Sequence, residues 1–344
     1  MLSLFRNAAG ILAIFSLQAA PVVAEVEKKI ERPVFTAQLK EYAYPYDVGV
    51  YAFESQGQAL DMAYMHLPAK PGKPTVLLLH GKNFNGAYWK QTAKHLNARG
   101  FGVLMPDQIG FGKSSKPVNY QYSFNQLAMN TRDLIRHLGI EQVIVTGHSM
   151  GGMLASRFVL AYPEISTSLI LINPIGLEDY LDYTSYPAIS DAYARELSKT
   201  TEDIIAYQKA NYYAGAWNNV YAALTDPLVG WQNGPDKEQI AYVSALTYDM
   251  ILTQPVIDDF EHISVPTTLI IGTRDKTGPN RGNMKPGTGY LLGQYDVLGE
   301  KAAERVKDSY LIELEGLGHL PHIEDFDAFA PALDIAVTRE EKVE

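Results

Sequence analysis

The apolar run Val143-Ile144-Val145 stops at a small-residue turn, Gly147-His148-Ser149-Met150-Gly151, and gives way to the helix-compatible Met153-Leu154-Ala155-Ser156-Arg157-Phe158-Val159-Leu160. That order restricts the chain locally to a buried strand, a sharp backbone reversal and a helix. Side chains at 147 and 151 would collide with the neighbouring strand and helix, so glycine is needed at both. Ser149 then sits on a strained turn with its hydroxyl exposed, a candidate nucleophile that a histidine elsewhere must activate. G-x-S-x-G also arises by chance, and a small-residue turn needs no chemistry; the flanking strand and helix are what favour catalysis.

The same alternation runs through much of the chain. Residues 48–53 and 59–66 read as an antiparallel hairpin around Gln56-Gly57-Gln58, after a polar linker from residue 25 to about residue 40. Thr75-Val76-Leu77-Leu78-Leu79 is an uninterrupted apolar run, as in a strand buried on both faces. Helices are expected at 89–99, 124–138 and 298–306, and strands at 102–105, 142–146, 168–172, 267–271 and 309–313. Such alternation predicts an α/β fold with a doubly wound, mostly parallel sheet covered on both faces. Between residues 177 and 262 the strand pattern vanishes and helical stretches at 190–197, 201–213 and 239–252 replace it, with ten tyrosines. The expected organisation is a core of residues 25–177 and 263–344 carrying a helical lid at 178–262. A tyrosine-rich lid suits a partly wet pocket, although many of these rings must simply pack the helices.

Bulk properties narrow the partners. With 47% hydrophobic and 20% charged residues the chain is an ordinary globular protein, and its net charge of −10 argues against nucleic acid. The absence of cysteine excludes disulfides, thiolate metal sites and a cysteine nucleophile. Arg6, the apolar run 8–17 and Val22-Val23-Ala24 form a signal peptide cleaved after Ala24. Export to a periplasm is therefore expected, with no stable membrane anchor after processing; an uncleaved interfacial anchor is the alternative.

A serine nucleophile needs a base, a group to orient that base and donors for the oxyanion. The base is expected to be His319, in Gly316-Leu317-Gly318-His319, with His322 as rival. Asp275 ends the buried run Leu269-Ile270-Ile271-Gly272 and is the expected orienting acid, with Asp258 and Asp259 as fallbacks. His80-Gly81-Lys82-Asn83 follows the first buried strand, so the backbone N–H groups of Lys82 and Met150 are the expected oxyanion donors. His80, His148, Tyr180 and Trp217 are candidates for the substrate-pocket wall, His80 being structural rather than catalytic.

His80-Gly81, Asp107-Gln108-Ile109-Gly110-Phe111-Gly112-Lys113-Ser114, Gly147-His148-Ser149-Met150-Gly151-Gly152, Asp275 and Gly318-His319 together resemble the α/β-hydrolase superfamily over residues 48 to 335. The serine–acid–histidine order is that of this architecture. The resemblance implies an eight-stranded sheet, an acyl-enzyme mechanism and a structural role for Asp107. Dehalogenase and epoxide-hydrolase members use an aspartate nucleophile, so serine at 149 argues against both. The expected activity is hydrolysis of a carboxylic ester of a small or medium, largely apolar substrate, with no cofactor and no metal. A carbon–carbon bond hydrolase or perhydrolase on the same triad stays open. So does a proline iminopeptidase-like amidase, whose usual acidic pocket for a free amine Glu178, Asp179 and Asp182 at the lid entrance could be misread to supply. A non-catalytic binder on the same fold is the remote alternative. One departure is the stretch from Thr277 to Gly293, an added loop that could cover the pocket, touch the lid or mediate oligomerisation.

Overall fold

A computed structural model describes residues 32–339; the expected signal segment, residues 1–24, lies outside the described residues. β1 (Val48–Ser55) and β2 (Gln58–Leu67) form the anticipated hairpin. β3 (Thr75–Leu79), α1 (Lys90–Ala98), β4 (Gly102–Pro106), α2 (Phe124–His137), β5 (Val143–His148), α3 (Met150–Ala161) and β6 (Ser166–Ile172) follow. The eight-stranded sheet is completed by β7 (Thr267–Gly272) and β8 (Ser309–Leu314), in the order β1-β2-β4-β3-β5-β6-β7-β8. Only the β1–β2 and β2–β4 pairings are antiparallel.

Continuous apolar runs make sense in this sheet because its inner strands are buried on both faces. Leu77, Leu79, Val145, Leu169 and Ile271 enter the core on one face, and Val76, Leu78, Ile144, Ile170 and Ile270 enter the core on the other. At the edge, β8 exposes Tyr310 and Glu313 to solvent. The α3 helix crosses the strand ends so closely that a Cβ on Gly151 would stand 2.1 Å from the Leu79 carbonyl oxygen.

Between β6 and β7 the chain forms α4 (Tyr180–Tyr183), α5 (Ile189–Ser198), α6 (Thr201–Asn211), α7 (Asn219–Gln232) and α8 (Lys237–Thr253). Thr200 and Asp203 close a reciprocal capping box that starts α6. The α7 helix was not foreseen, because Pro227 inside it removes a backbone donor and reads as a break. Burial of Val229, Gly230 and Trp231 offsets that loss. After β7 a long loop leads to α9 (Tyr295–Glu304), which begins three residues before the expected 298, and β8 is followed by α10 (Pro321–Glu324) and α11 (Phe326–Thr338).

The supposed polar linker is the clearest difference from the sequence reading. Residues 32–46 form an ordered strap across α7 and the loop after β4. Phe35 N–H donates to the Gly230 carbonyl at 2.9 Å, and Trp231 Nε1 donates to the Thr36 carbonyl at 3.1 Å. Ala37 and Leu39 are buried. Tyr44 donates its hydroxyl to Asp107 Oδ2 at 2.6 Å, the same oxygen that accepts the Lys113 N–H at 2.7 Å. The alternating Phe35, Ala37 and Leu39 were masked by the charged residues around them.

Candidate active site

Ser149 lies immediately after β5 with φ 57° and ψ −123°, a backbone region that disfavours any residue with a side chain. Tight crossing of α3 over the sheet enforces it: a Cβ on Gly147 would meet the Gly151 carbonyl oxygen at 2.0 Å. The result aims the Ser149 hydroxyl at His319, whose Nε2 is 3.0 Å away. On the other side of the ring, His319 Nδ1 lies 2.6 Å from Asp275 Oδ2. A carboxylate only accepts, so Nδ1 carries the proton and Nε2 is the free lone pair facing serine. Asp275 is held by two further donors, Asn173 Nδ2 at 3.0 Å and the Thr277 N–H at 2.8 Å. Sequence reasoning missed Asn173, which also accepts the Gly272 N–H at 2.8 Å and so ties the ends of β6 and β7 together.

A second layer of buried groups joins the three loops. His148 Nε2 is 2.8 Å from the His319 carbonyl oxygen, so it must be the protonated nitrogen. His148 Nδ1 then accepts from the Tyr88 hydroxyl at 3.0 Å, and Tyr88 oxygen accepts the Gly81 N–H at 3.2 Å. Burial, with His319 and His322 close by, holds the His148 pKa well below the ordinary histidine value, so the ring stays neutral in this chain of bonds. His80 donates to its neighbour's carbonyl and accepts the Gln108 N–H at 3.1 Å, joining the loops after β3 and β4. His322, the rival base, is fully buried against Trp89 with ring centroids 4.6 Å apart; burial and then His319 push it down to about 3. The fallback acids are elsewhere, Asp258 paired with Arg305 and Asp259 with Arg157.

The loop expected to supply an oxyanion donor packs on Ser149: a Cβ on Gly81 would stand 3.1 Å from Ser149 Cβ. The backbone N–H groups of Lys82 and Met150 make no hydrogen bond among the described residues. Both side chains next to the first donor reach into the helical insertion. Lys82 Nζ donates to Ser244 Oγ at 2.8 Å and to the Ser244 carbonyl at 3.1 Å on α8. Asn83 Nδ2 donates to the Tyr212 hydroxyl at 2.8 Å, and the Tyr212 ring stacks on His319 with centroids 4.9 Å apart. Burial lowers the Lys82 ammonium to about 8, with Glu196 opposing the shift.

Residues 74–326 match the family described as alpha/beta hydrolase fold. The chain belongs to the α/β-hydrolase family. It is 42% identical to a probable hydrolytic enzyme from Pseudomonas aeruginosa whose crystal structure superposes with a TM-score of 0.86, covering 89% of this chain and 99% of that one. Over 275 residues it is 25% identical to Lipase 1 of Psychrobacter immobilis, 78% of each chain. A shorter stretch of 106 residues is 38% identical to a fluoroacetate dehalogenase from a Burkholderia species, covering 30% of this chain. The chain spans about a third of the length of the curated relatives it matches in this shorter way.

In this α/β-hydrolase Ser149 opens into a cavity of about 660 Å³. Its walls come from Lys82 and Asn83, from α5, α6, Tyr212 and α8, and from residues 277–283 of the added loop. That loop is also sewn to the insertion, since Asn280 Nδ2 donates to Thr184 Oγ1 at 2.8 Å and Tyr183 stacks on Tyr290 at 4.0 Å. None of the four residues expected in the pocket wall lines this cavity. His80 and His148 lie behind the site, in the networks just described. Tyr180 is buried with its oxygen accepting the Gly176 N–H at 2.7 Å, and Trp217 packs edge-on against Tyr213 and Tyr221. Large aromatic rings near a site go to the core as readily as to its wall, and sequence does not separate the two. Glu178, Asp179 and Asp182 are also outside the cavity, Glu178 accepting the Gly293 N–H and Asp179 capping α4.

Proposed function

We propose that this hydrolase cleaves carboxylic esters through an acyl-enzyme formed on Ser149. The observation that carries the reading is the unbroken series Ser149 Oγ, His319, Asp275 at 3.0 and 2.6 Å, beside two backbone N–H groups free to receive an oxyanion. His319 Nε2 takes the serine proton as Oγ attacks the carbonyl carbon. The N–H groups of Lys82 and Met150 receive the charge on the carbonyl oxygen, and each such donor is worth about 3 kcal/mol in the transition state. His319 then protonates the leaving alcohol and activates the water that releases the acid. Asp275 keeps the imidazole in the required tautomer throughout.

Alignment with a lipase over most of the chain supports ester chemistry. Serine at 149 leaves no carboxylate nucleophile for dehalogenase or epoxide chemistry. Glu178, Asp179 and Asp182 lie outside the cavity and lend the iminopeptidase reading no support. Hydrolysis of p-nitrophenyl butyrate by the protein and by Ser149→Ala tests the proposal, together with labelling by an organophosphonate. Ester turnover should fall roughly 10,000-fold or more in the variant, and the phosphonate should label only the parent. Equal turnover by the two proteins would refute it.

A further inference from the structure

The cavity wall carries charged groups that an apolar substrate does not require.

Their balance gives the sign of the substrate group they would receive. Six charged residues line the cavity, the cations Lys82, Arg195, Lys199 and Arg281 and the acids Glu196 and Asp203. The acids are already engaged. Glu196 pairs with Lys199 and accepts the Ser244 hydroxyl at 3.0 Å, and Asp203 is committed to the Thr200 capping box. The exposed side chain of Arg195 makes no hydrogen bond or ion pair among the described residues. Arg281 donates one nitrogen to the carbonyls of Lys276 and Leu292, which positions the guanidinium without neutralising it. A surplus of two positive charges therefore faces the cavity in a chain whose net charge is −10. Locally inverted charge in a cleft raises the local concentration of anions.

We propose that the non-reacting part of the substrate carries a carboxylate, received in the cavity by Arg195 and Arg281. The inference rests on the ester-hydrolase reading and narrows it to half-esters of dicarboxylic acids or esters of acidic alcohols. It replaces the largely apolar substrate expected from the sequence.

The experiment compares p-nitrophenyl hydrogen glutarate with p-nitrophenyl hexanoate, esters of matched length that differ in a terminal carboxylate. The parent should favour the glutarate by roughly five- to tenfold in kcat/KM, mostly through KM, and high salt should erode the preference. Arg195→Gln should collapse that preference, and Arg195→Lys should restore part of it. Arg281→Gln is a second variant, although loss of its carbonyl bonds also loosens the loop. Preference for the hexanoate, or a glutarate preference that survives both glutamine substitutions, overturns the proposal. If the parent turns over neither ester, the ester-hydrolase reading has failed, and phosphonate labelling of Ser149 then tests the subsite by itself. Free glutarate should slow labelling of the parent and not of Arg195→Gln; no protection in the parent overturns the inference.

Discussion

Ser149 occupies a backbone conformation that costs about 1 to 3 kcal/mol, and its neighbours leave it no other. Its carbonyl accepts the N–H groups of Gly152 and Ile175, at 2.8 and 3.2 Å, while its own N–H donates to Ile172. Held from both sides, the residue can only point its hydroxyl toward His319. Behind the histidine, burial keeps both His148 and His322 neutral, but their partners differ. His148 accepts from Tyr88 at its bare nitrogen, whereas His322 has no hydrogen-bond partner at either nitrogen among the described residues. A histidine whose folded pKa is depressed leaves stability unaffected above the unfolded value of about 6.5. Below that the unfolded chain takes up a proton the folded chain refuses, and stability is lost as pH falls toward the folded value of about 3. Replacing His322 with phenylalanine removes this penalty and keeps the contact with Trp89. The melting temperature of His322→Phe should therefore fall less steeply between about pH 6.5 and 4 than that of the parent, as followed by circular dichroism. Parallel curves would show that the ring is protonated in the folded protein.

At the scale of elements, consecutive side chains of the loop after β3 are gripped by the helical insertion, Lys82 by α8 and Asn83 by Tyr212. The insertion thus fixes the loop whose backbone packs against Ser149, and Tyr212 covers the His319 imidazole as well. Lys82→Met keeps the aliphatic stem and deletes the three-proton donor. Its kcat on p-nitrophenyl butyrate should fall about tenfold, with a smaller change in KM, because the displaced N–H serves the transition state more than the bound ester. A rise in KM with kcat unchanged would reduce Lys82 to a lining residue. The strand and helix register around the nucleophile was legible in advance, since apolar runs and glycines act locally. The partners of Lys82 are not, because Ser244 stands 162 positions away.

For the whole molecule, the strap of residues 32–46 joins three regions distant in sequence: the insertion at Gly230 and Trp231, the Asp107 loop and the start of the sheet. Leu39 is its anchor, fully buried and at φ 49°. Leu39→Ala should destabilise the protein by about 2 to 5 kcal/mol through the cavity it leaves, measured by urea denaturation. A loss well below 1 kcal/mol would show the strap to be dispensable for the fold.

The sheet, the turn that carries Ser149, and the placing of His319 and Asp275 beside it were all readable along the chain. These follow from local rules: runs buried on two faces, glycine where backbones touch, charged groups emerging at strand ends. Which aromatic rings face the cavity, what Asn173 and Tyr88 hold in place, and where the insertion directs its acids emerge only once the chain is folded. So do the strap made by a segment read as linker and the surplus positive charge on the cavity wall. Each depends on partners far apart in the chain, and a side chain's chemistry does not say which partner folding will place against it.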